Sequence, residues 1–384
     1  MEELRGYLND YGIKLSISDG SLGAIGDFTS MLPDSKIKLS DYNLLGSKVE
    51  NTKFTAKDFY ELQQAFNSTR EDKLEPWYLQ PLTFTPVNAS DTITITIKKI
   101  GDFSSSGFTL YRTKLSNETS YTPWPNFPVK SFTLTNKTSL SIAATSSATK
   151  LSVDSSNYYQ FEITGGPVII TGSVLSLLCQ PPDYQLPDYC FYNLFKGCTN
   201  IITAPELPSL KVGAGSYQGM FQGCTGLTIP PSLPATTLGN SCYSAMFNKC
   251  TSLKVAPNLP ATTVGDNCYS SMFWQCSSLK AAPKLPATTL GQGAYWNMFC
   301  NCYELEDAPL INATSFNYSS FGSMFSWCLK LKHIKLAYTG NFSSNSFSGW
   351  VNNVASTGIL EYDGEDTTVG VDAIPSGWTV KKST

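Results

Sequence analysis

The 384-residue chain has one histidine, His333, and charged residues make up only 15% of it, well under the ~25% common in soluble domains. One histidine leaves no His pair for metal or acid–base work, and a Ser-His-Asp arrangement built on it has no support in the sequence. A net charge of −3 provides no basic stripe for nucleic acid or anionic lipid. No run reaches the ~18 apolar residues that a membrane-spanning helix needs; the best is the mixed segment PVIITGSVLSLL. No C-x-x-C occurs, and Cys300 and Cys302 are separated by only one residue, so zinc spacing is missing as well. We therefore expect no enzyme, no catalytic residue, no metal, no cofactor, no nucleic-acid partner and no membrane insertion. His333 reads as a surface residue, and YDGEDTT near Asp363 as a solvated turn rather than a calcium loop.

What the chain does have is a period. Cys198, Cys224, Cys250, Cys276, Cys302 and Cys328 follow one another at intervals of 26 residues. Three residues before each stands Phe195, Phe221, Phe247, Phe273, Phe299 or Phe325, preceded by Leu194, Met220, Met246, Met272, Met298 or Met324. Three residues after each stands Ile201, Leu227, Leu253, Leu279, Leu305 or Leu331. Within one copy, Cys268, Tyr269, Met272, Phe273 and Cys276 have the spacing of one face of a short helix. The next segment, SLKVAPNLP or SLKAAPKLP, carries Pro205, Pro231, Pro257, Pro283 or Pro309, so it can pair only as a brief strand. Gly213, Gly239, Gly265 and Gly291 then mark a tight turn where a missing Cβ matters. Such a unit cannot bury its own apolar face, so copies must stack into a solenoid.

The pattern C-x-x-L, then P, then [VL]-G, then Y-x-x-M-F-x-x-C resembles the leucine-rich repeats of bacterial surface antigens of the BspA type. That resemblance implies surface display and adhesion, and no shared chemistry. The last copies depart from it, with Lys335 in the proline column and Asn317 in the glycine column, as a terminal cap does.

The expected fold is multidomain and mainly β. Residues 1–80 form an N-terminal α+β segment, with a helix predicted over AKDFYELQQAF, where Thr55 and Asp58 stand as a capping box and Phe59, Leu62 and Phe66 share a face. Residues 81–178 alternate, as in DTITITIKKI and YYQFEITGGPVIITG, which predicts an antiparallel β-sandwich. Repeats occupy 179–338 and a cap 339–384. The order PLTFTP, sandwich, repeats, IPSGWTV resembles a modular arrangement in gut Bacteroidetes proteins and their phages, including crAss-like phages. The opening MEELRGYLND lacks the basic-then-apolar pattern of a secretory signal. We therefore expect assembly in the host cytoplasm and residence on a virion surface. There the chain would be a head or tail fibre, anchored to capsid or tail proteins through residues 1–80 and meeting host polysaccharide or protein through the repeats. Association held mainly by residues 1 to about 180 is expected from the small size and irregular composition of the first segment; that it is a homotrimer is what the likeness to virion fibres implies. The alternatives are a BspA-like cell-surface adhesin and, less favoured, a glycan-degrading enzyme working with two carboxylates.

Eleven cysteines are an odd number, and like stacks on like. Rungs ~5 Å apart permit disulfides, but cysteine is also a small, usually buried hydrophobe, and buried free thiols are the expectation. Two columns vary while the core columns stay fixed: Ile202, Thr228, Lys254, Lys280, Glu306, and Glu206, Ser232, Asn258, Lys284, Leu310. Variation within a rigid repeat marks exposed positions, so Lys254, Asn258, Lys280 and Lys284 are candidate binding residues. Trp274, Trp296 and Trp327 also depart from their columns and suit either sugar stacking or core and interchain packing. Five lysines and five acids lie between Cys198 and Cys328, a balance that suits a neutral polysaccharide.

Overall fold

The computed structural model describes residues 14–18, 21–25, 53–54, 80–103, 111–117, 120, 122–124, 131–144, 150–342, 344–365, 369–370 and 372–382. The chain divides into two compact units, Met1–Trp77 and Tyr78–Thr384. In the first, strands Lys14–Ser18, Ser21–Ile25 and Lys53–Phe54 form an antiparallel sheet. The helix expected after Thr55 lies outside the described residues.

The second unit opens with two sheets. Tyr158–Gly165, Ile93–Ile100 and Ser131–Leu134 pair antiparallel in one. In the other, Val168–Thr171, Leu82–Pro86, Leu140–Ala144, Tyr111–Leu115 and Thr122–Trp124 pair antiparallel, and Ile201–Thr203 joins the edge in parallel. Period-two patterning sorts the side chains: Leu82, Phe84, Ile93, Ile95 and Ile97 point inward and are buried, with threonines between them. Phe84 and Phe161 bring their rings to 5.1 Å, and Phe161 stacks on Phe195 of the first repeat at 5.1 Å and 12°. The sheets thus close the open end of the repeat stack, and one apolar core runs through both.

The repeats build a β-solenoid of about seven turns between residues 185 and 362. Each coil has three walls. In one coil these are a turn wall at 241–250, a proline wall at 253–260 and a threonine wall at 261–265. The expected short helix is not there. The turn wall is a run of four-residue turns, with left-handed backbone at Ser241 (φ 55°), Ala245 (φ 53°) and Lys249 (φ 63°). Alternate amides bond within the coil, as Ser244 N to Ser241 O (3.1 Å) and Met246 N to Tyr243 O (3.1 Å). The others donate to the next coil, as Tyr243 N to Cys268 O (3.1 Å) and Phe247 N to Met272 O (2.9 Å). Every fourth residue in the left-handed region turns the path back, so the chain advances as a flat ribbon whose side-chain period is four. Over nine residues that period puts the same residues inward as a helix does.

Across the coils this left-handed position falls on residues 189, 193, 197, 215, 219, 223, 241, 245, 249, 267, 271, 275, 293, 297, 301, 319, 323, 327, 349 and 353. Eleven of these twenty are glycine or asparagine and none is β-branched, the composition that left-handed backbone selects. A helix interior would not select Gly215, Gly219 and Gly223 within nine residues.

The brief strand also lies one segment later than expected. Two-residue strands form at Lys211–Val212, Thr237–Leu238, Thr263–Val264, Thr289–Leu290 and Ser315–Phe316, whereas the proline wall makes isolated bridges such as Val255 with Ala281. Proline has removed the ladder donors there. Where Lys335 and then Glu361 replace proline, the same wall becomes a parallel sheet of Asp307–Ile311, His333–Leu336, Gly358–Tyr362 and Trp378–Lys381, whose register shifts only in the first strand, between Asp307 and Leu310 around Pro309. The tail thus continues the ladder as well as capping it, and Trp350 and Trp378 donate their indole N–H to Ala373 O (2.9 Å) and Ala355 O (2.8 Å).

The repeated glycines act through close approach between coils. A Cβ on Gly291 would meet Asp266 N at 2.6 Å and Gly265 C at 2.7 Å.

Candidate functional site

Inside the solenoid the fixed columns are structural. Phe195, Phe221, Phe247, Phe273, Phe299 and Phe325 stack ring on ring at 5.5–5.8 Å and within 7° of parallel. Tyr217, Tyr243, Tyr269 and Tyr295 form a second column at 5.8–6.1 Å. The cysteine rungs explain themselves at this level. Cys250, Cys276, Cys302 and Cys328 each donate S–H to the carbonyl of the phenylalanine 29 residues earlier, at 3.1 Å. That carbonyl already accepts an amide in its own coil, as Phe247 O does from Cys250 N (3.0 Å), so the thiol uses its second lone pair. All eleven cysteines are free thiols and ten of them are buried. Burial pushes the Cys276 thiol well above its ordinary range, so these columns hold packing groups rather than nucleophiles.

The predicted surface residues are brought together in two groups on different walls. Lys254, Lys280, Asn258 and Lys284 are exposed on the proline wall, where Lys280 N donates to Lys254 O (3.1 Å). Trp274, Trp296 and Trp327 lie on the outward side of the turn wall in three consecutive coils. Trp274 is half-buried: its indole pairs with the Cys300 thiol, and the Lys249 ammonium sits 5.3 Å from its ring centre. Lys249 was not singled out from sequence, because its column holds no other lysine. Trp296 is 44% exposed and Trp327 49%. Gly322 makes room for Trp296, since a Cβ there would stand 2.8 Å from Trp296 Cδ1.

Trp327 is the unusual one. It occupies a left-handed position (φ 63°) where other coils carry Gly197, Gly223, Lys249, Gln275, Asn301 and Asn353. A bulky side chain in that backbone is strained by roughly 1–2 kcal/mol. Sequence reasoning also passed over the threonine wall, whose Thr236, Thr237, Thr262, Thr263, Thr288, Thr289 and Thr314 are all exposed. Their signal was the ATT repeated ahead of Gly239, Gly265 and Gly291.

His333 stands at the surface with part of its ring covered. It is half-buried between two carboxylates, with Nε2 at 3.0 Å from Glu361 Oε1 and Nδ1 at 3.8 Å from Asp307 Oδ1. Both partners are acids on neighbouring strands, so the ring bridges the sheet between two carboxylates. In the YDGEDTT turn the Lys382 ammonium donates to Asp363 O (3.0 Å) and Gly364 O (3.3 Å).

Among the described residues no three His, Cys, Asp or Glu side chains converge on a metal position, and no helix is long and apolar enough to cross a membrane. The cavity lined by Ile97, Ile142, Leu151, Tyr159, Phe161, Leu177 and Leu194 is an apolar gap in the core. Comparisons with protein-family models, with curated proteins and with solved structures each gave no match.

Proposed function

We propose that this chain is a display and adhesion protein whose solenoid presents exposed tryptophans to an uncharged polysaccharide. The observation that carries this reading is Trp327: an exposed aromatic ring held in a left-handed backbone position where the other coils carry glycine, asparagine, lysine or glutamine and never an aromatic. A strained residue persists where something other than folding selects it, and indole faces suit the apolar faces of sugars. Trp296, one coil away on the same wall, extends the platform. The near-balance of acids and lysines along the repeats keeps charge out of the recognition.

In the same proposal the repeats are of the BspA leucine-rich type, the two sheets between residues 82 and 171 are the sandwich that spaces the solenoid, and residues 1–80 attach the protein to a capsid or tail. The virion setting, as a head or tail fibre and a homotrimer, rests on the modular resemblance alone. The reading as a non-enzyme rests on the absence of any recognised catalytic constellation. Purified protein incubated with host cells should be retained and then released by soluble neutral surface polysaccharide. Release by salt with no effect of polysaccharide would overturn the reading, and new reducing ends in the polysaccharide would overturn the non-enzyme assignment.

A further inference from the structure

Two thiols stand apart from the cysteine columns described above. Cys242 and Cys268 occupy the same position in consecutive coils, both fully buried, with their sulfurs 2.8 Å apart. The column thiols Cys250 and Cys276 instead direct their S–H groups at backbone carbonyls. In the Cys242 column the neighbouring rungs are Ser216 and Ala294, so Cys190 is two coils away from Cys242 and no third thiol adjoins the pair. The backbone holds the two coils in register, with Tyr243 N bonded to Cys268 O and the Tyr243 and Tyr269 rings stacked at 5.9 Å.

We propose that Cys242 and Cys268 are a thiol pair built to close into a single inter-coil disulfide when the protein meets an oxidising small-molecule disulfide. This goes beyond the adhesive reading and does not depend on it. In the reaction one cysteine, as thiolate, attacks a sulfur of oxidised glutathione and releases one glutathione thiolate. The second cysteine then displaces the other glutathione, forming the protein S–S bond. The two protein thiols lose two protons and two electrons, and two molecules of reduced glutathione carry both away. Burial pushes the Cys242 thiol well above its usual range, so attack proceeds through a local opening of the coils rather than from the closed stack. Once formed, the bond is shielded by the same burial and ties a 26-residue loop, which stabilises the folded state by restricting the unfolded one.

The test uses the full chain in urea below its unfolding midpoint, treated with excess oxidised glutathione, quenched, denatured, alkylated and peptide-mapped. Alkylatable cysteines should fall from eleven to nine, with one crosslink joining the Cys242 and Cys268 peptides. Cys242→Ser should keep its remaining ten thiols. Serine and alanine already stand in this column, so the variant should fold, which matching circular dichroism would check. Eleven alkylated cysteines, glutathione adducts without a crosslink, or crosslinks within the Cys198–Cys328 column would each overturn the proposal.

Discussion

At the scale of single residues, the backbone decides more than the side-chain columns do. The left-handed positions accept serine, alanine, lysine and glutamine as well as glycine and asparagine, but tryptophan only at 327. Trp327→Asn should relieve part of that strain, because Asn301 and Asn353 already occupy the equivalent place one coil away on either side. We expect stability to rise by about 1 kcal/mol, read by urea unfolding, together with weaker polysaccharide retention. Lower stability on this change would show that the ring is packing rather than platform. The inward columns were legible in the sequence because cysteine, phenylalanine, methionine and leucine recur at 26 residues, and they are fully or almost fully buried. The partner of each thiol was not legible, since it is a backbone carbonyl 29 residues earlier and no side-chain pattern encodes it.

At the scale of elements, the sequence could not separate a helix from the ribbon of turns. Inward residues at steps of one, three, one and three fit a period of 3.6 and a period of 4.0 equally well over nine residues. The distinguishing mark was on the outward side, in the glycines and asparagines four apart and in the absence of β-branched residues there. Proline was informative in both directions: it thins the proline wall to single bridges, and its loss at Lys335 and Glu361 lets a true sheet form. That C-terminal sheet is crossed by ion pairs. Lys335 (2.8 Å), followed by His333 (3.0 Å), holds the Glu361 carboxyl below its ordinary range. A depressed acid contributes stability above its unfolded pKa of about 4.3, and that contribution is lost as pH falls through the lower folded value. The protection of the Gly358–Tyr362 amides, taken relative to the intrinsic exchange rate at each pH, should therefore fall on acidification in the parent. Glu361→Gln should show lower protection at neutral pH, and its protection should change less on acidification. Equal pH responses in the two proteins would contradict this role.

At the scale of the whole molecule, the sheets and the solenoid share a core, and the alternating pattern at 81–178 gave no sign of it. The junction is made by Phe161 on Phe195, by Phe161 N bonded to Leu194 O (2.7 Å) and by Val168–Thr171 pairing with Ile201–Thr203. These contacts join residues that neither periodicity relates to the other. A chain beginning at Leu178 would uncover the Phe195 end of the stack and should aggregate, whereas one beginning at Tyr78 should remain soluble and folded. Light scattering on both, and on the full chain, reads this directly. The fibre proposal expects the full chain at three times its 41.9 kDa mass; a monomer would contradict the trimer, and a well-behaved monomer starting at Leu178 would contradict the shared core.

The most direct test of the proposed adhesive role of the turn wall is affinity electrophoresis through gels containing neutral host-surface polysaccharide. It would compare the parent with Trp296→Ala/Trp327→Ala on the turn wall and Lys254→Ala/Lys280→Ala/Lys284→Ala on the proline wall. Two stacking rings at about 1 kcal/mol each correspond to at least about tenfold in affinity. We predict that the parent and the lysine variant are retarded alike, at low and high salt, and that the tryptophan variant loses at least about tenfold in affinity while staying folded. Retardation that survives the loss of both tryptophans, or that vanishes with the lysines, would contradict the account.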